Sequence, residues 1–177
     1  MRKSFTLIEL IVVIGIIAVL SALGVSSYNG FQKSARDTRR KNDLRTINNA
    51  LNAFYAVNNR YPAAVGCAAG VVITTCSVNS TTGTSWISAL VTGGFLEAVP
   101  QDPVNNAAVP WHATNNNYSY AYGGVNATGQ EYDLTARLEN PEDRDRCAVK
   151  SYKYSPARTD WCGSFSGQIY ESSPNSL

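Results

Sequence analysis

The chain has 177 residues, 44% of them hydrophobic, a formal net charge of +2 and only 16% charged residues. That charged fraction lies below the usual quarter of a soluble domain, and Gly, Asn, Ser, Thr and Tyr take its place. The balance argues against a cytosolic helical enzyme and for a turn-rich extracellular surface with β-structure. A single His and the lack of any nucleophile-elbow or metal-protease motif leave no catalytic constellation.

Met1-Arg2-Lys3-Ser4 is a short basic start. Phe5 to Val25 then gives 21 residues with one charge, Glu9. As a helix rising about 1.5 Å per residue this stretch is roughly 31 Å long, the thickness of a bilayer core. Arg2 and Lys3 hold its start in the cytoplasm, so the rest of the chain lies outside. A secretory signal peptide shares the basic start and apolar core. It does not account for Glu9, or for a helical pattern that continues past Val25.

Glu9 is the informative residue of this stretch. A carboxylate near the edge of the apolar slab costs about 3 kcal/mol unless it is neutralised or paired. The best partner is the α-amine created by a cut between Ser4 and Phe5, in the same helix or in a neighbour offset along its axis. Such a pair specifies register in a helical stack.

Ser4-Phe5-Thr6-Leu7-Ile8-Glu9-Leu10, followed by Ile11-Val12-Val13-Ile14, resembles the class III signal of type IV pilins and type II secretion pseudopilins. The close likeness covers about the first 28 residues. It implies cleavage between Ser4 and Phe5 by a prepilin peptidase, N-methylation of Phe5, and an assembly role for Glu9 with Phe5. The family usually has Gly before the cut, where this chain has Ser4, and many pilins have Pro where Ser26 stands.

From Ser27 to Asn59 the pattern stays helical, with Leu44, Ile47, Leu51 and Phe54 on one 3.6-residue stripe. Arg60-Tyr61-Pro62 is expected to end it. Lys33, Arg36, Arg39, Arg40, Lys41 and Arg45 make this stalk basic, while Thr46 to Leu177 carries seven basic and ten acidic residues. Stalk and head of neighbouring subunits could therefore attract one another. A solvated helix face is the competing reading.

After Pro62 the chain reads as a long loop, a short helix over Ser85–Val91 closed by Gly93-Gly94, and an extended crossing of the stripe fixed by Pro100 and Pro103. Tyr118–Tyr122 and Glu131–Leu138 alternate and predict a hairpin, with Tyr132, Leu134, Ala136 and Leu138 on one face. Ala148–Tyr154 and Ser164–Tyr170 are further candidate strands. Cys67, Cys76, Cys147 and Cys162 in an exported head read as disulfides. Three connectivities are open, and the local pairing, Cys67–Cys76 and Cys147–Cys162, is preferred. No CxxC occurs, and His112 lies far from any Cys, which disfavours zinc.

Glu139, Glu142, Asp143 and Asp145 form an acidic loop that offers oxygens to Ca²⁺, a notion the pseudopilin likeness encourages. No EF-hand spacing supports it, Arg144 sits inside, and a solvated turn competes. No other cofactor is expected. Nucleic acid is a weak candidate partner, because the basic run lies on a stalk that a filament partly buries.

The expected fold is α+β, a long N-terminal helix packed on an antiparallel sheet head. The segments are a leader (1–4), a membrane and filament-core helix (5–27), an amphipathic helix (28–61), a loop region with a disulfide and short helix (62–110), and a sheet with a disulfide-bounded C-terminal region (111–177). The expected role is a type IV pilus subunit. It begins as a single-pass inner-membrane protein and becomes an extracellular homopolymer for adhesion, motility or uptake, with prepilin peptidase and assembly machinery as partners. A type II secretion pseudopilin is the close alternative, and a signal-anchored surface module that never polymerises is the distant one.

Overall fold

Helix α1 (Leu7–Asn58) is 52 residues long, about 78 Å at the standard rise. The computed structural model describes residues 6–64, 78–106, 117–124, 129–146 and 169–171, with backbone alone at 22–27, 124 and 169–171. Thr6 starts the helix through a capping box. Its Oγ1 accepts from the Glu9 amide at 3.3 Å, and Glu9 Oε2 accepts from the Thr6 amide at 2.8 Å. Asn59 ends it. This residue takes a left-handed conformation (φ 54°) and donates its amide to Tyr55 O at 2.7 Å. Termination thus falls on an asparagine cap just ahead of Arg60-Tyr61-Pro62.

The head packs on the second half of α1. Strands β1 (Val78–Asn79), β2 (Tyr120–Gly124), β3 (Tyr132–Arg137) and β4 (Ile169–Glu171) form one sheet in sequence order, each pair antiparallel. β1 has only two residues, so β2, β3 and β4 make up most of the sheet. The predicted hairpin is β2–β3, with Tyr122 opposite Leu134. A 3₁₀ turn (Ser80–Thr82) and helix α2 (Ser88–Thr92) precede the crossing at Pro100.

Leu44, Ile47 and Leu51 are fully buried against Tyr120, Tyr122, Tyr132, Leu134 and Ala136, with Trp86, Ile87, Leu90 and Val99 closing one side. Helix stripe against sheet face is the α+β sandwich expected from the sequence. The tyrosines keep their hydroxyls satisfied. Tyr122 donates to Pro62 O at 2.6 Å, Tyr132 to Asn48 Oδ1 at 2.7 Å and Tyr120 to Asp43 Oδ2 at 2.8 Å. Gly129 (φ 69°) holds the end of α1 against the hairpin by accepting from the Tyr61 amide at 2.7 Å. A Cβ there would come within 3.1 Å of Arg60 Cβ.

Two sequence expectations change. The segment Ala63–Thr84 reads as loop, yet Val78–Asn79 pairs with β2. A two-residue strand is too short to show a period. β3 reads as a strand with one polar face, yet all six of its residues are buried, including Asp133, Thr135 and Arg137. The sheet is covered on both sides, which alternation alone does not reveal. The candidate strand Ala148–Tyr154 lies outside the described residues.

Candidate assembly site and the stalk clasp

The first half of α1 presents its apolar side chains to the outside. From Leu7 to Leu20 eleven large aliphatic residues are exposed, from 50% at Val13 to 76% at Leu7. Complete burial of such side chains stabilises by about 1.5–3 kcal/mol each, so a partner surface could gain on the order of 20 kcal/mol along this stretch. Among the described residues no helix is long and apolar enough to cross a membrane. Within the expected span, 5–27, side chains are described from Thr6 to Ser21, and Phe5 and the side chains of 22–27 lie outside the description.

Glu9 sits on this half, and its carboxylate also accepts from Thr6 Oγ1 at 2.7 Å. Part of its role is therefore local, as the third residue of its own helix cap. Its expected partner, the amine of Phe5, and the cleavage residue Ser4 lie outside the described residues, as do Cys67, Cys76, Cys147 and Cys162.

The stalk holds a second feature, an ionic clasp. Asp37 and Arg40 continue the stripe of Leu44, Ile47, Leu51 and Phe54 toward the N-terminus at the same spacings of three and four. Both are fully buried. Arg40 grips Asp102 with Nε–Oδ2 at 2.7 Å and Nη2–Oδ1 at 3.0 Å. Its Nη1 donates to Asp37 Oδ1 at 2.8 Å and to Glu139 Oε1 at 2.7 Å. Arg36 forks onto Glu139 at 2.7 and 2.5 Å. Asp37 in turn accepts the backbone amides of Glu139 and Asn140, tying the end of β3 to the helix. The Tyr118 ring lies 4.7 Å from the Arg40 guanidinium carbon.

Electrostatics follow this geometry. Burial disfavours charge on Arg40, but Asp102, Glu139 and Asp37 outweigh it and raise its pKa. Burial likewise pushes Glu139 up, and Arg36 and Arg40 overcome it, holding that carboxyl below the usual glutamate value. Lys41 reaches Asp143 at 2.5 Å and Asp145 at 2.6 Å. Burial alone raises Asp143, and Lys41 with the Asp145 amide brings it below its ordinary value.

These contacts bear on two expectations. In the acidic loop, Glu139, Asp143 and Asp145 each hold a Lys or Arg of α1, and among the described residues no His, Cys, Asp or Glu group is arranged to hold a metal ion. The basic run is also divided. Arg36, Arg40 and Lys41 bind acids of their own head. Lys33, Arg39 and Arg45 stay exposed, Arg39 with Asp43 beside it at 3.7 Å.

Sequence reasoning missed the clasp. Asp102 stands in the Pro100–Pro103 crossing, and its Oδ1 also accepts the Val104 amide at 2.8 Å. The available signal was the charged pair Asp37 and Arg40 on an otherwise apolar stripe.

A model of the prokaryotic N-terminal methylation motif matches residues 1–25. The type II secretion system core protein G of Aeromonas hydrophila is 30% identical over 105 residues, 59% of this chain and 69% of that protein. The type IV major pilin protein PilA of Myxococcus xanthus is 32% identical over 60 residues, 34% of this chain and 27% of that protein. Prepilin peptidase-dependent protein D of Escherichia coli is 56% identical over 34 residues, 19% of this chain and 23% of that protein. No solved structure matches the chain. With its methylation motif, its long helix against an antiparallel sheet and its likeness to protein G along most of that protein, the chain belongs to the type IV pilin and type II secretion pseudopilin family.

Proposed function

We propose that this chain is a structural subunit of a type IV pilus. It waits in the cytoplasmic membrane with its head outside, is cut between Ser4 and Phe5, and is methylated on Phe5. It then polymerises through the apolar half of α1 into an extracellular filament that serves adhesion, motility or uptake. One observation carries the reading: eleven large aliphatic side chains on a helix that its own head leaves uncovered. A soluble monomer gains nothing from that surface, whereas lipid first and neighbouring helices later would cover it. The apolar sequence running on to Val25 supplies the length for insertion. In this reading Glu9, the one charge in it, pairs with the amine of Phe5 in an adjoining subunit.

Mass spectrometry of the mature N-terminus tests the processing. A chain beginning at methylated Phe5 is expected, and an intact Met1 contradicts the proposal.

A second reading, the type II secretion pseudopilin, has its own support. The 105-residue likeness to protein G is about twice the length of α1, so it extends into the head, whereas the match to PilA covers 60 residues. Deleting the gene separates the two. Loss of long surface filaments favours the pilus, and loss of protein export without loss of such filaments favours the pseudopilus.

A further inference from the structure

Between the apolar half of α1 and the clasp lies a neck that carries Tyr28, Phe31 and Lys33. Tyr28 is 62% exposed and Phe31 74% exposed, the two being three residues apart and so on one face. A helical advance of about 100° per residue puts that face away from Arg40, Leu44, Ile47 and Leu51, which face the head. A Cβ added at Gly30, between them, would meet nothing within 4 Å. Lys33 is exposed and has no ion pair among the described residues, whereas Arg36, one turn on, is committed to Glu139.

The depth of these residues suits one environment. If the apolar run ends at Val25, Tyr28 lies about 4.5 Å, Phe31 about 9 Å and Lys33 about 12 Å beyond it along the axis. The headgroup layer on each side of a bilayer is roughly 5–7 Å thick. Tyr28 falls inside that layer, and the Phe31 backbone lies about 2–4 Å past it, with its side chain leaning back toward the helix N-terminus and so toward the bilayer. The Lys33 stem is long enough to fold its ammonium back toward lipid phosphates. Tyr and Trp rings concentrate at that level because one end is apolar and the other tolerates water, and Phe31 adds apolar contact beside Tyr28.

We propose that Tyr28 and Phe31, supported by Lys33, form a membrane-interface collar whose partner is the outer headgroup surface of an anionic bilayer. The collar fixes the depth of the inserted chain and keeps the clasp at Arg36 and Arg40 in water. It rests on the membrane-inserted state proposed above.

The test places the photo-crosslinking residue p-benzoylphenylalanine at 19, 28, 31 or 46 of the full chain. Each protein is reconstituted in vesicles of phosphatidylethanolamine and phosphatidylglycerol and irradiated. Position 19 reports insertion, and position 46, on the exposed side of α1 within the head, reports background. Lipid adducts from 28 and 31 in yields comparable with 19, and severalfold above 46, are expected. Lipid adducts from 19 with 28 and 31 at the level of 46, or crosslinked only to a second copy of the chain, overturn the collar and leave insertion intact. Absence of lipid adducts at 19 overturns insertion and the collar with it.

Discussion

The two halves of α1 invert the usual rule of burial. In the first half aliphatic side chains from Leu7 to Leu20 face outward, and in the second half Asp37 and Arg40 are sealed inside. One continuous helix therefore serves two environments, and composition alone misjudges both. The exposed aliphatic half is left uncovered by the described residues of the chain. The buried charges need no outside partner, because the head supplies Asp102 and Glu139 and the helix supplies Asp37 beside Arg40.

The largest effect is expected at the clasp. Arg40→Ala leaves Asp37 and Asp102 buried without their guanidinium and should destabilise the head by about 3–5 kcal/mol. Urea unfolding of the detergent-solubilised chain measures it, and a loss near that of a surface ion pair, about 1 kcal/mol, would show that the clasp is not a buried unit. Leu51→Ala removes a fully buried stripe residue and should cost about 2–5 kcal/mol in the same assay.

Acid should weaken the clasp without mutation. The folded-state pKa values of Glu139 and Asp143 are depressed, so their contributions are fully present above their unfolded values, 4.5 and 3.8, and fade as pH falls through the lower folded ones. Asp43, raised by burial, works the other way and softens the loss. Unfolding midpoints followed from pH 7 downward should hold steady to about pH 4.5 and then decline. A midpoint that stays level through that window would mean these carboxylates carry little. The smallest effect is expected in the first half. Ile14→Ala, which touches no part of the head core, should leave head stability within about 0.5 kcal/mol of wild type.

How much of this was legible in the sequence depended on the kind of signal. The stripe of Leu44, Ile47 and Leu51 and the β2–β3 hairpin repeat a period, so they could be read. Glu9 stood out because it is the one charge in an apolar run, although its capping bond to Thr6 was not anticipated. The clasp was hidden because its partners lie 62 and 99 residues from Arg40, and a charge on a stalk looks solvated until its counter-charges are placed. Strand β1 was hidden by brevity, and the second covered face of β3 by the polar residues that occupy it.

In the proposed function the first half of α1 is an assembly element in which the charge of Glu9 matters. Glu9→Gln tests it most directly, since Gln also serves in a capping box and preserves the local helix start while removing the charge. Imaging of surface filaments from cells that carry this variant should show them lost, with the chain retained in the membrane fraction. Filaments as numerous as those of wild type would contradict the account and leave Glu9 as a helix cap.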